Sequence, residues 1–215
     1  MVVYHGTWFA TDAGLVDVPI HTHLGWVAFQ KSIAGTFFAL VGLSLQLTAP
    51  VRARPFMRRL ALVLGGAAIV TTTSIVLDAN RVVTFGILHA IALCSVVAVP
   101  FLRVPTPVLL LLAAIATTTG IALHHPTFDH SALHWTGLSP HVPATFDHQP
   151  FLPWFGAVLG GLALGRWLPN TSAARWPLDG PLPRGLALLG RHSLFLYMAH
   201  VPVLVGIVAA LVALS

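Results

Sequence analysis

Apolar residues along this chain come in long blocks, without the short alternation of a soluble fold. Such blocks fill residues 27–49, 60–77, 84–102, 106–123, 151–168 and 191–214. A helix of about 20 apolar residues is long enough to cross a lipid core about 30 Å thick. The six blocks therefore predict six spans. Residues 1–10, MVVYHGTWFA, are just as apolar but reach only roughly 15 Å, about half a core. No basic stretch leads into them and no small-residue cleavage site follows, so they do not read as a secretory signal. The expected fold is an all-α membrane protein, a polytopic helix bundle of six complete spans plus an N-terminal half-span. Residues 1–215 are expected to form one domain.

The polar segments between the blocks carry the chemistry. Residues 11–26 hold Asp12, Asp17, His21 and His23. Residues 50–59 hold Arg52, Arg54, Arg58 and Arg59, and read as a basic loop. Asp78 and Arg81 mark a short turn, and Arg103 a shorter one closed by Pro105 and Pro107. The longest polar stretch runs from 124 into the span that begins at 151, with His124, His125, His130, His134, His141, His148, Asp129 and Asp147. Residues 169–190 are a connection rich in Pro and Gly, with Arg175, Arg184 and Asp179.

Composition sharpens this picture. The chain is 56% hydrophobic and 8% charged, against about 25% charged in a soluble domain. Its net charge of +5 does not indicate nucleic-acid binding, because the arginines sit between spans and not on one face. Counted alternately, Arg52, Arg54, Arg58, Arg59, Arg103, Arg166, Arg175, Arg184 and Arg191 fall on one side. Arg81 falls on the other, with Lys31 near its edge. Basic loops stay in the cytoplasm, so the histidine-rich loops are expected in a periplasm-like space, with the protein in a bacterial inner membrane. The sole cysteine, Cys94, lies inside an apolar block and reads as a small buried side chain.

Ionisable residues inside a bilayer are costly and mark function by default. His200 lies near the middle of the last span, with Tyr197 on the same face and Pro202 just beyond. His89 lies about a turn into its span. For both, the competing reading is a neutral imidazole bonded to a neighbouring helix. In the long loop, His130 and His134 stand four apart, with His124, Asp129, His141 and Asp147 available to complete a zinc shell. These spacings match no established site. Solvated or substrate-contacting histidines are the alternatives, and no metal is expected.

Five segments in order resemble one family. They are MVVYHGTWFATDAGL (1–15), IAGTFFALVGLSLQL (33–47), VTFGILHAIALCSVV (83–97), and FLPWFGAVLGGLALG (151–165) followed by LGRHSLFLYMAHVPVLVGI (189–207). They are similar to the heparan-alpha-glucosaminide N-acetyltransferase catalytic-domain family, particularly its short bacterial members. The resemblance implies a transmembrane enzyme that takes acetyl from cytoplasmic acetyl-CoA. The acetyl passes to an amino sugar or similar acceptor on the far side. It also implies a first helix that begins before Met1, with an acidic residue and an Arg-Gly pair. Matched residue by residue, a polar catalytic-region position falls on His5, and an outer-loop histidine on His21, with His23 as the alternative.

Histidine suits the base that acyl transfer requires at neutral pH, and Asp12 is a carboxylate able to steady it. His89, Asp147, His148, Trp154 and His200 are candidates for the acceptor site. Arg52, Arg54, Arg58, Arg59 and Arg191 could meet the phosphates of CoA, or act only as topology determinants. Two rival readings remain. One is a non-catalytic accessory subunit of a larger membrane complex, with a membrane protein partner or a homo-oligomer. The other is a metal-handling protein that uses the outer histidines.

Overall fold

A computed structural model describes residues 1–171 and 180–214. Among them every regular element is helical. The α-helices are α1 (Val2–Asp12), α2 (Leu24–Leu47), α3 (Ala53–Leu77), α4 (Ile87–Ala98), α5 (Thr106–Ala122), α6 (Phe151–Trp167), α7 (Pro181–Arg191) and α8 (Ser193–Leu214). A 3-10 turn, Val99–Arg103, continues α4. Arg175 and Asp179 lie outside the described residues.

Four helices are long and apolar enough to cross a membrane: α2, α3, α6 with its short extension to Asn170, and α8. The stretches Ile87–Arg103 and Thr106–Ala122 are apolar but shorter. Large hydrophobic side chains face outward along these helices, among them Leu62, Ile69, Leu111, Ile121, Val203 and Ile207. In water such patches would drive association. Facing lipid they cost nothing, and the chain is an integral membrane protein.

Two boundaries differ from the sequence pattern. The arginine-rich stretch 50–59 is not a loop, because α3 already starts at Ala53. Arginine is a good helix former. Pro55 stands in the first turn, where its missing N–H has no helical partner to lose. At 25 residues, α3 is about 37 Å long, enough to cross a core and carry its arginines beyond it. The second difference is α7, which occupies the last half of the connection at 169–190. Its prolines fall at the helix start. The exposed Leu186 and Leu189 lie on one side, with Arg184 and Arg191 opposite. That division suits a membrane–water boundary.

Packing groups the chain into two units, Met1–Ile33 with Trp176–Ser215, and Ala34–Arg175. In the larger unit α6 is the interior helix, burying Phe155, Val158, Leu159, Leu162 and Ala163. Its glycines allow this. A Cβ on Gly161 would run into the carbonyl oxygen of Ala39 on α2, and one on Gly42 into that of Val158 on α6. A Cβ on Gly156 would meet Thr117 and the Ala113 carbonyl of α5. Small residues let helix backbones approach where no water drives them together. Gly161→Ala is therefore expected to destabilise the protein by about 2 kcal/mol through overpacking. Gly160→Ala, one residue away with nothing within 4 Å, is expected to be neutral or stabilising by up to about 1 kcal/mol. Thermal unfolding of the two variants in detergent checks the opposite signs.

Hydroxyl groups tie α3 to the turn after it. Thr71 Oγ1 donates to the Val83 carbonyl at 2.7 Å, and Ser74 Oγ accepts from the Val83 N–H at 2.9 Å. Arg81 pairs with Asp78 across the turn at 3.7 Å.

Candidate functional site

The smaller unit brings together two histidines that lie 195 positions apart in sequence. His5 Nδ1 and His200 Nε2 are 2.7 Å apart. The rings are nearly parallel, at 14°, with centroids 5.0 Å apart. That separation with so short an N···N distance means the rings meet edge to edge in a common plane. The lone pair of one nitrogen thus points along the N–H of the other. His200 sits eight residues into α8 and is 8% exposed, while His5 is half-buried on α1. Nδ1 of His200 also bonds the Tyr197 carbonyl one turn back on α8.

Aromatic rings surround the pair. Tyr4, Trp8 and Phe9 lie 5.8, 6.2 and 6.4 Å from the His5 ring, and Tyr197 lies 5.5 Å from His200. Trp8 also meets His21 edge-on at 6.4 Å. His21 thus reaches the cluster through an indole, while its own ring is exposed. His23 is turned elsewhere, and its Nδ1 accepts from the Gly25 N–H at 3.2 Å, at the start of α2. Asp12 is exposed at the end of α1, two turns and about 10 Å of helical rise beyond His5. It is too far along the helix to steady the His5 imidazole directly, and His200 occupies that place.

The larger unit holds a second group of predicted residues. Asp147 Oδ2 accepts from the Ile87 N–H at 2.7 Å and so caps α4. Nδ1 of His89 accepts from the Gly86 N–H at 3.3 Å in the same turn, and its Nε2 lies 3.4 Å from Thr71 Oγ1. Burial pushes the Asp147 carboxyl above the ordinary carboxylate range, against the bonds from Ile87 and Gln149. Next to it, His148 is held below the usual imidazole value by burial and then by nearby His134. The buried Nδ1 of His148 has no hydrogen-bond partner among the described residues. Trp154 is a packing residue of this unit, stacked on Phe38 at 5.6 Å.

This arrangement separates charge from shape at Asp147. Asp147→Ala removes the cap and is expected to cost about 1 kcal/mol. Asp147→Asn keeps an acceptor oxygen without the buried charge, and is expected to be neutral or stabilising. The sign with pH follows from the raised value. The folded protein holds its proton longer than the unfolded chain, so this stability is complete below the ordinary carboxylate range. It is lost as pH rises through the raised value. Hydrogen exchange at the first turn of α4 is expected to speed up over that interval in wild type and not in Asp147→Asn.

Within the long loop, Asp129 gathers Ser139 Oγ at 2.8 Å, His141 Nδ1 at 2.8 Å and, at 3.8 Å, His134 Nε2. The serine bond first, then His141, holds its carboxyl below the ordinary range. His130 does not pair with His134. It caps the 3-10 turn Ser131–Thr136 through the Ala132 N–H. Among the described residues no three His, Cys, Asp or Glu side chains gather as a metal shell.

The basic residues divide. Arg52, Arg54 and Arg58 are exposed, and Arg59 donates to Ser44 Oγ at 3.0 Å. Arg191 ends α7 in the other unit. Arg166, marked by the sequence only as a sidedness residue, is the most engaged of the basic residues described. It donates to the carbonyls of Val104 at 2.5 Å, Leu102 at 2.7 Å and Phe101 at 3.3 Å. Gln46 Oε1 and Thr106 Oγ1 complete its shell at 3.3 and 3.4 Å.

A protein-family model, heparan-alpha-glucosaminide N-acetyltransferase, catalytic, matches residues 1–202. The chain belongs to this family. No curated protein and no solved structure matches it at a significant level. The N-acetyltransferase family match takes in both histidines of the coplanar pair, the arginine-rich start of α3, and the long loop. An acetyltransferase-like membrane protein is thus the class to which the site must answer, with acetyl-CoA as the co-substrate the family suggests.

Proposed function

We propose that the protein moves acetyl from cytoplasmic acetyl-CoA to an amino sugar or similar acceptor on the far side of the membrane. The observation that carries this reading is the His5–His200 pair, two imidazoles in direct contact at 2.7 Å between the first and last helices. A partly buried histidine pair, with no metal shell gathered around it among the described residues, is suited to proton transfer. Proton removal is what an amine or hydroxyl acceptor requires as it attacks a thioester. His5 acts as the base, and His21 beyond Trp8 serves as its proton outlet. The departing thiolate takes up one proton from solvent while His5 releases the acceptor's proton through His21, so the exchange balances.

The remaining features take their places in the same reading. The short apolar helices α4 and α5 join the four long ones to make six spans, with α1 as a half-span, in one membrane domain. Basic loops lie on the cytoplasmic side and histidine loops on the other, in an inner membrane. Arg52, Arg54, Arg58 and Arg59 have no carboxylate partner among the described residues, which leaves them available to CoA phosphates. In the larger unit, His148 offers a polar nitrogen that has no partner among the described residues.

Membranes carrying the protein should move labelled acetyl from acetyl-CoA to glucosamine above the level of membranes without it. If there is no transfer to any amine or hydroxyl sugar, and the protein instead co-purifies at fixed stoichiometry with another membrane protein, the accessory-subunit reading takes over.

A further inference from the structure

We infer that His200 is a positioning residue that fixes the tautomer of His5, leaving Nε2 of His5 as the one nitrogen able to accept a proton. The inference rests on the proposed base role of His5 for its catalytic meaning, but the tautomer itself follows from the bonds alone.

A backbone carbonyl can only accept, so the bond between Tyr197 O and His200 Nδ1 places a hydrogen on that nitrogen. A neutral imidazole carries one N–H, so Nε2 of His200 is a bare acceptor. The atom 2.7 Å away is Nδ1 of His5, which must then be the donor. With Nδ1 protonated, Nε2 of neutral His5 carries the lone pair. The whole chain of protons is set by one carbonyl in α8. Pro202 has no N–H to give and frees the Met198 carbonyl from the helical ladder one residue on. The helix is thus locally open where the side chain must turn back onto its own backbone.

The consequence is directional. When His5 Nε2 takes the acceptor's proton, a bond forms between the acceptor nitrogen or oxygen and the acetyl carbon. The acetyl carbon–sulfur bond breaks, and the thiolate leaves to be protonated. The imidazolium on His5 still donates from Nδ1 into the His200 lone pair, so its charge is met by a charge-assisted bond. His200 does here what a carboxylate does in a catalytic triad, without placing a fixed negative charge inside the bilayer.

The test uses full-length protein, 15N-labelled at histidine, in lipid nanodiscs, with His5 resonances assigned by loss in His5→Gln. In wild type His5 is expected as the Nδ1–H tautomer. In His200→Phe, which keeps a ring but no acceptor, it is expected to shift toward the commoner Nε2–H form, with kcat down about 10–100-fold and KM little changed. His200→Gln offers an amide oxygen to Nδ1 and is expected to keep the tautomer and most of kcat. It also carries the test if the Phe variant does not accumulate. An Nε2–H tautomer in wild type, the same tautomer in all variants, or an unchanged kcat in His200→Phe overturns the inference. If wild type transfers no acetyl yet the tautomer follows residue 200, the positioning by His200 stands and the acetyl-transfer reading falls.

Discussion

Replacing His5 by alanine is expected to lower acetyl transfer by about 10²–10⁴-fold, the usual contribution of a positioned acid–base group. The loss should fall on kcat, because the imidazole matters most as the proton moves. Folded yield should change little, since His5 is only half-buried and the neighbouring aromatic contacts of α1 remain. His200 would then lose its partner, but its bond to the Tyr197 carbonyl lies within α8 and survives. His21→Ala should show a smaller loss and Asp17→Ala none. A rate measured with labelled acetyl-CoA on membranes of matched protein content checks the series.

Arg166→Ala is expected to destabilise the protein by about 3–5 kcal/mol, which in a marginally stable domain means little folded protein. Bonds to a charged donor are each worth about 1.5–3 kcal/mol. This guanidinium serves three backbone carbonyls and two side chains at once. The carbonyls belong to residues 101, 102 and 104, where α4 gives way to the turn before α5. They lie at the end of the helical ladder, where the Phe101 carbonyl also takes the Val104 N–H at 3.1 Å. Arg166→Lys restores the charge but not the planar fork, and should recover only part of the loss. Thermal unfolding in detergent and accumulation in membranes measure both.

Much of the fold was legible because lipid imposes a simple rule. An apolar block long enough to cross is a helix, and the blocks at 27–49, 106–123, 151–168 and 191–214 correspond closely to α2, α5, α6 and α8. The rule fails where polarity and helicity part company. Arginines at 52–59 look like a loop by hydropathy yet favour helix by backbone propensity, and α3 runs through them. Residues 181–191 contain two prolines and two glycines, but the prolines stand at the entrance of α7, where they do no harm.

The site was legible in its parts and not in its pairing. His200 stands out as an imidazole inside an apolar span, and His5 through the family resemblance. Nothing in residues 1–10 signals a partner near position 200, because helix packing joins them through space. Asp12 reads from the sequence as a carboxylate able to steady the base, but seven residues of helix carry it two turns from His5. Asp147, a candidate for the acceptor site, gives one of its two oxygens to the Ile87 N–H, a contact the sequence does not show. Arg166 was hidden for the opposite reason. One arginine at the end of a span is ordinary, and only the geometry of the carbonyls around it reveals the latch.

Cys94, the single cysteine of the chain, is sealed inside the protein at 0% exposure. The native protein is therefore silent toward bulky maleimides. A cysteine introduced at position 54 or position 130 would report alone, with no background to subtract and no native thiol to delete first. The protein arrives ready-made for mapping which of its ends faces which compartment.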